Sequence, residues 1–180
     1  MNYPVKRVGT RALIVDLPDL KTVMDFYAAL SASPLEHQTD VVAAARTVLV
    51  TFDSPTATTN AVDVLAGYSP AAADMGTPRD IDIDVRYDGE DVDALATSLG
   101  MSPRELIEWH TSTTWVAAFG GFAPGFTYCV PEDASRALTI PRRDSPRTAV
   151  PAGAVALAGE FSAVYPVSYT HLTLPTTPYV

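Results

Sequence analysis

His110 is the residue of this chain best suited to moving a proton. An imidazole titrates near neutrality and can act as acid or base. It sits near the end of a helix announced by Ser102-Pro103-Arg104-Glu105, where the ring could instead cap carbonyls and complement the helix dipole. Both roles stay open. Just downstream runs Gly121-Phe122-Ala123-Pro124-Gly125-Phe126. Its glycines permit backbone angles that other residues avoid, and Pro124 fixes one torsion. Phe122 and Phe126 flank that bare backbone. Such a turn could hold a flat ligand or another chain, or could simply pack two phenylalanines at a corner. Arg142, Arg143 and Arg147, with Arg136, form a basic cluster. Guanidinium forks suit a phosphate or a small acid's carboxylate. The alternative is a solvated loop balanced by Glu132, Asp133 and Asp144.

Other chemistry is weakly signalled. Asp80, Asp82 and Asp84 could attract a hard cation such as magnesium. The wet face of an edge strand explains them better. No Gly-Lys-Ser/Thr, no Gly-x-Gly-x-x-Gly and no Gly-x-Ser-x-Gly occurs. Cys129 is the single cysteine, so no internal disulfide can form, and it reads as a small buried hydrophobe. The 180 residues carry a formal charge of −9, which argues against nucleic acid as a partner. Hydrophobic residues make up 47%, enough for a folded core. No apolar run has the length of a membrane span, and Met1-Asn2-Tyr3-Pro4 lacks a secretory pattern. A cytoplasmic location is the expectation.

The elements that must position these groups divide into two halves. Tyr3 to Val8 and Arg11 to Asp16 read as strands joined at Gly9. Pro18 to Leu30 reads as a helix with Leu20, Val23, Met24, Tyr27 and Leu30 on one face. Val41 to Ala45 and Thr47 to Phe52 read as strands. Thr56 to Tyr68 reads as a helix with Ala61, Val62, Leu65 and Tyr68 inward. This order predicts a two-layer α/β sandwich over residues 1–78, ending in a linker from Ser69 to Pro78. Arg79 to Tyr87 alternates Ile81, Ile83 and Val85 with three aspartates and reads as a strand. Asp91 to Leu99 reads as a short helix. A capping box and a proline at the first helical position open the next one, which carries Leu106, Ile107, Trp109 and His110. From Thr113 onward the chain reads as strand and turn.

Several blocks resemble a known family. His110, then Trp115 where tyrosine is usual, then Gly121, Phe122, Pro124, Gly125, Phe126 and Tyr128 follow one pattern. Pro141-Arg142-Arg143, Pro146-Arg147, Val150-Pro151-Ala152-Gly153, Ala158-Gly159 and Tyr165-Pro166 follow a second. Val85-Arg86-Tyr87-Asp88-Gly89 and Asp91-Val92 fit as well. Together they resemble the KipI / PxpB family, which comprises the B subunits of 5-oxoprolinase and is also called allophanate hydrolase subunit 1. The resemblance covers roughly residues 1 to 166 and implies an α+β protein. Its second half, 79–166, would be an incomplete cyclophilin-like β-barrel. Residues 167–180 depart from the pattern and read as a non-family tail of adapter origin, with a divergent terminal strand as the alternative.

The resemblance implies one component of an ATP-dependent amidohydrolase. With the A and C subunits it would open the lactam of 5-oxoproline to L-glutamate. ATP is implied by the resemblance alone; phosphorylating the lactam oxygen would make an unreactive amide carbon electrophilic. His110 would move a proton, and Arg142 and Arg147 would hold anionic groups. Gly121, Phe122, Pro124, Gly125 and Phe126 would shape the pocket or the seam between subunits. Two other classes fit the same motifs. One is a KipI-type inhibitor of a sporulation histidine kinase. The other is a carboxyltransferase half-domain of a biotin-dependent urea carboxylase.

Overall fold

Four strands near the N-terminus form one sheet, whose two central strands bury every second side chain on one face. In the computed structural model, which describes residues 2–70, 79–143, 145 and 147–170, β1 (Val5–Val8), β2 (Ala12–Asp16), β3 (Gln38–Ala43) and β4 (Thr47–Phe52) form an antiparallel sheet. Its order is β1-β2-β4-β3. Leu13 pairs with Val50 and Val15 with Val48, and all four are fully buried. The alternation of strand side chains places them together. Gly9 closes the β1–β2 turn with a φ of 63°, an angle that suits glycine.

Two helices cover that buried face. α1 (Leu20–Ala32) lies over β3 and β4, and α2 (Pro55–Ala66) over β1, β2 and β4. Asp19 caps α1 by accepting from the Thr22 backbone at 2.7 Å. Ser54 caps α2, with Pro55 at its first turn. The inward stripe of α1 is rotated from the expected one. Val23, Phe26 and Leu30 are fully buried, whereas Met24 and Tyr27 are half-buried. Phe26 sets the rotation, because its ring meets Tyr3 and Tyr68 edge-on at 5.3 and 5.1 Å. On α2 the inward residues are Ala57, Thr58, Ala61 and Leu65, and Val62 is half-buried.

The chain divides into two compact units, Met1–Ile81 and Asp82–Val180. The linker expected at 69–78 falls largely on residues 71–78, outside the described residues. The strand expected over 79–87 does not form. Ile81 and Ile83 are 79% and 62% exposed, and no described strand pairs with this stretch. Alternation makes a strand only where a neighbour supplies the ladder.

The second unit contains α3 (Val92–Ser98), α4 (Pro103–Thr111) and a four-stranded antiparallel sheet. Its strands are β5 (Trp115–Gly120), β6 (Thr127–Pro131), β8 (Val155–Ala158) and β9 (Phe161–Val164), ordered β5-β6-β9-β8. A separate short ladder joins β7 (Ala149–Val150) to β10 (Tyr169–Thr170). The tail expected from residue 167 therefore places its third and fourth residues, Tyr169 and Thr170, in a ladder. Its remainder, 171–180, lies outside the described residues. No helix among the described residues is long and apolar enough to cross a membrane.

Candidate functional site

The phase of α4 decides where His110 points. Ser102 Oγ accepts from the Glu105 backbone, and the Glu105 carboxylate accepts from the Ser102 backbone at 2.7 Å. With its start fixed, the helix turns Leu106 and His110, four residues apart, into the interior. The imidazole is 8% exposed. It does not cap the helix. That role falls to Arg136, whose guanidinium donates to the Trp109 carbonyl at 3.0 Å and to Thr113 Oγ1 at 2.9 Å. Trp109 Nε1 returns a bond to the Arg136 carbonyl, and Trp115 Nε1 donates to the His110 carbonyl. Arg136 is thus committed to the helix end and does not belong with the other arginines.

Both ring nitrogens of His110 are engaged. Nδ1 lies 2.6 Å from the Tyr87 hydroxyl and Nε2 lies 3.2 Å from Ser162 Oγ. Ser162 is 6% exposed and sits in a central strand, whereas Tyr87 is half-buried. Trp115 packs on the imidazole at 5.1 Å, with Trp109 at 6.1 Å. Burial pushes the imidazole below its ordinary range and the Tyr87 phenol above its own. Both are therefore neutral near pH 7. Neither Tyr87 nor Ser162 stands out in the sequence as a partner of His110, although Tyr87 lies in a family-like block.

The turn is two turns in succession. Ala123 N–H donates to the Gly121 carbonyl at 2.7 Å around Phe122, whose φ is 63°. That is a γ-turn of the strained hand. Phe126 N–H then donates to the Ala123 carbonyl at 3.0 Å, with Pro124 and Gly125 between them and Gly125 at a φ of 80°. Proline followed by a positive-φ glycine is the type II pattern. The first turn aims Phe122 outward, 54% exposed, where its ring meets Phe126, Tyr165 and Tyr169. Phe126 is buried and continues the cluster to Tyr128, Phe119 and Phe161.

His110 and the aromatic cluster lie on opposite faces of the sheet. Ser162 meets His110, and its neighbour Phe161 meets Phe119 and Tyr128. Successive strand residues face opposite sides. Cross-strand partners agree: Ser162 pairs with Cys129, which pairs with Ala117, two residues from Trp115. An irregularity between Ala117 and Phe119 then shifts the register, and Phe119 pairs with Tyr128. This bulge turns Phe119 away from the face that Trp115 shares with His110. Cys129 is half-buried, and burial pushes its thiol up.

The arginines are held by carboxylates that lie far from them in the sequence. Asp91 accepts from both Arg143 and Arg147, the latter at 2.8 Å, and Glu90 accepts from Arg147 at 3.1 Å. Burial alone would raise the Asp91 carboxyl. The bonds and charges of Arg147 and Arg143 outweigh it and hold Asp91 below the usual carboxylate range. Arg142 is exposed, and no described residue pairs with it. Asp144 and Pro146 lie outside the described residues. Asp80, Asp82 and Asp84 are exposed, and no three His, Cys, Asp or Glu side chains converge among the described residues.

Fold and site now have a family. Residues 3–170 match the carboxyltransferase domain, subdomain C and D, and the chain belongs to that family. Its relatives confirm the resemblance read from the motifs. It is 40% identical over 93 residues to the B subunit of 5-oxoprolinase from Bacillus subtilis (strain 168), covering 50% of this chain and 38% of that protein. It is 40% identical over 95 residues to the B subunit of 5-oxoprolinase from Escherichia coli O157:H7, covering 50% and 42%. The chain thus covers well under half the length of these curated relatives. Among solved structures, it is similar to the protein TTHA0988, with a TM-score of 0.66 and 28% identity over 88% of this chain and 33% of that one. The Kluyveromyces lactis urea carboxylase gives a TM-score of 0.67 at 11% identity, over 93% of this chain and 18% of that one, a likeness of fold alone.

Proposed function

We propose that this chain acts as the B subunit of an ATP-dependent 5-oxoprolinase and opens the 5-oxoproline lactam to L-glutamate only in a complex with the A and C subunits. The observation that carries the reading is 40% identity, over half the chain, to curated 5-oxoprolinase B subunits from two bacteria. The buried histidine supports it, since opening a lactam moves a proton onto the leaving nitrogen. The Gly121–Phe126 turn faces away from His110. We therefore assign Phe122, with its exposed ring, to the seam with a partner chain rather than to the substrate pocket. The second unit is read as part of a cyclophilin-like barrel and the protein as cytoplasmic.

ATP is a separate matter. Arg147 is engaged by Glu90 and Asp91, and Arg143 by Asp91, which leaves Arg142 as the arginine of this group open to an anion. As arranged, these residues do not fit a nucleotide cradle. The chemistry assigned to this chain is the proton handling at His110, with Arg142 as the anion-holding candidate in the assembled complex and Arg147 joining it only where an anion displaces Glu90 and Asp91. Magnesium has no converging carboxylates among the described residues.

The test is ATP-dependent glutamate release. The purified chain alone is expected to give none, and addition of the A and C subunits is expected to give turnover. Turnover by the lone chain contradicts the complex, and a full assembly that turns over no 5-oxoproline contradicts the substrate.

A further inference from the structure

His110 cannot reach a substrate directly. Its ring is 8% exposed, and both nitrogens already face hydroxyls. Ser162, on one side, is buried in a central strand. Tyr87, on the other, is half-buried and lies in a stretch that belongs to no described strand or helix. Within four residues of Tyr87, Glu90 and Asp91 anchor Arg143 and Arg147. The chain of hydroxyl, imidazole and hydroxyl therefore has a closed end at Ser162 and an open end at Tyr87, close along the backbone to two cations.

We infer that Tyr87 is the catalytic residue of this site and exchanges the proton with substrate, while His110 acts behind it as a positioning and proton-holding residue braced by Ser162. The inference rests on the 5-oxoprolinase reading. A phenol is a better donor than a serine hydroxyl, so Tyr87 donates to Nδ1, and Nε2–H donates to Ser162 Oγ. The 2.6 Å contact, against 3.2 Å on the other side, agrees with that order. Tyr87 then presents its oxygen lone pairs to an attacking water. As the water oxygen bonds to the lactam carbon, the carbonyl π pair moves onto the lactam oxygen, the water's proton passes to the Tyr87 oxygen, and the phenolic proton passes to Nδ1. When that oxygen's pair re-forms the carbonyl and the carbon–nitrogen bond breaks, its electrons stay on nitrogen and the proton returns through Tyr87 to that leaving nitrogen. Imidazole and phenol end as they began.

The experiment compares the full chain with Tyr87→Phe, His110→Ala and the double variant, each assembled with the A and C subunits. Tyr87→Phe is expected to lower kcat roughly 10²-fold or more with KM changed little. The double variant is expected to fall no lower than Tyr87→Phe, because His110 acts through the phenol. Unchanged kcat in Tyr87→Phe, or losses that multiply in the double variant, overturn the inference and leave the 5-oxoprolinase reading intact. Absence of turnover by the unsubstituted assembly overturns that reading instead, and the relay itself is then judged by nitrogen NMR of the histidines in the full chain. An unprotonated Nδ1 whose resonance moves in Tyr87→Phe, while Nε2 stays protonated, supports it. A proton on Nδ1, or an Nδ1 resonance indifferent to Tyr87→Phe, overturns it.

Discussion

Phe161 and Ser162 are neighbours in the chain and serve opposite faces of one sheet. Phe161 joins the aromatic cluster behind the exposed turn, and Ser162 closes the hydrogen-bond chain through His110. The two sets of residues that a family motif writes side by side are thus separated by the thickness of a sheet.

The bulge at Ala118 lets Trp115 and Phe119, four residues apart, serve opposite faces. Deleting Ala118 removes the unpaired residue, and simple alternation from Ala117 then keeps Phe119 on the face of Tyr128. Phe119 keeps its stacking with Tyr128 at 4.7 Å and its edge contact with Phe161. The deletion is therefore expected to retain cooperative melting and aromatic near-ultraviolet dichroism. A deletion variant that loses both features contradicts the assignment of faces.

Phe122 is held in a conformation that non-glycine residues avoid, at an expense of about 1–2 kcal/mol. Phe122→Gly removes that strain and the ring contacts together. Phe122→Ala removes the contacts and keeps the strain. The glycine variant is therefore expected to melt above the alanine variant by roughly 2–4 °C. Gly125→Ala is expected to lower the melting temperature for a backbone reason, since a Cβ there would meet Pro166 at an ordinary 3.6 Å. Equal melting of Phe122→Gly and Phe122→Ala would show that the γ-turn carries no strain.

Arg136 and Arg142 should separate cleanly. Arg136→Ala removes donors from the Trp109 carbonyl, Ser112 Oγ and Thr113 Oγ1, leaves the Thr113 hydroxyl as the closest remaining donor to that carbonyl, and is expected to destabilise the protein by about 1–3 kcal/mol. Arg142→Ala has no described contact to lose and is expected to stay within about 0.5 kcal/mol of wild type. Urea titration of both variants reads this directly; similar midpoints would remove Arg136 from its role at the helix end.

Two histidines give stability opposite slopes with pH. Burial lowers the folded His110 below the ordinary 6.5, so the unfolded chain takes up the proton first as pH falls. Its stabilisation is present above about 6.5 and is lost on acidification toward its folded value. His37 is raised by its hydrogen bond to Asp53 at 2.8 Å and by that carboxylate's charge. Its contribution is present below about 6.5 and is lost as pH rises through its folded value. Melting curves from pH 5 to 8 are expected to show the deficit of His110→Asn shrinking toward acid and that of Asp53→Asn shrinking toward base. Deficits that stay constant with pH contradict both assignments.

Much of this molecule is written locally. Asp19, Ser54 and the Ser102–Glu105 pair mark three helix starts, because a cap is satisfied by a backbone group two or three residues away. Leu13, Val15, Val48 and Val50 announce a half-buried sheet by alternation, and Pro124-Gly125 announces its turn. The family motifs also identified His110. What those signals could not contain is the identity of distant partners. Tyr87 stands 23 residues before His110, and Ser162 stands 52 after it. Only the β6–β9 register brings Ser162 beneath the helix. Ile81 and Ile83 carry a strand pattern and no strand, because hydrogen-bond ladders require a neighbour that no alternation supplies. Of the arginines that read as an anion site, Arg143 and Arg147 are occupied by Glu90 and Asp91, more than fifty residues upstream. Local sequence chose the elements and the chemistry of each side chain; the packing of strands and helices chose which side chains meet.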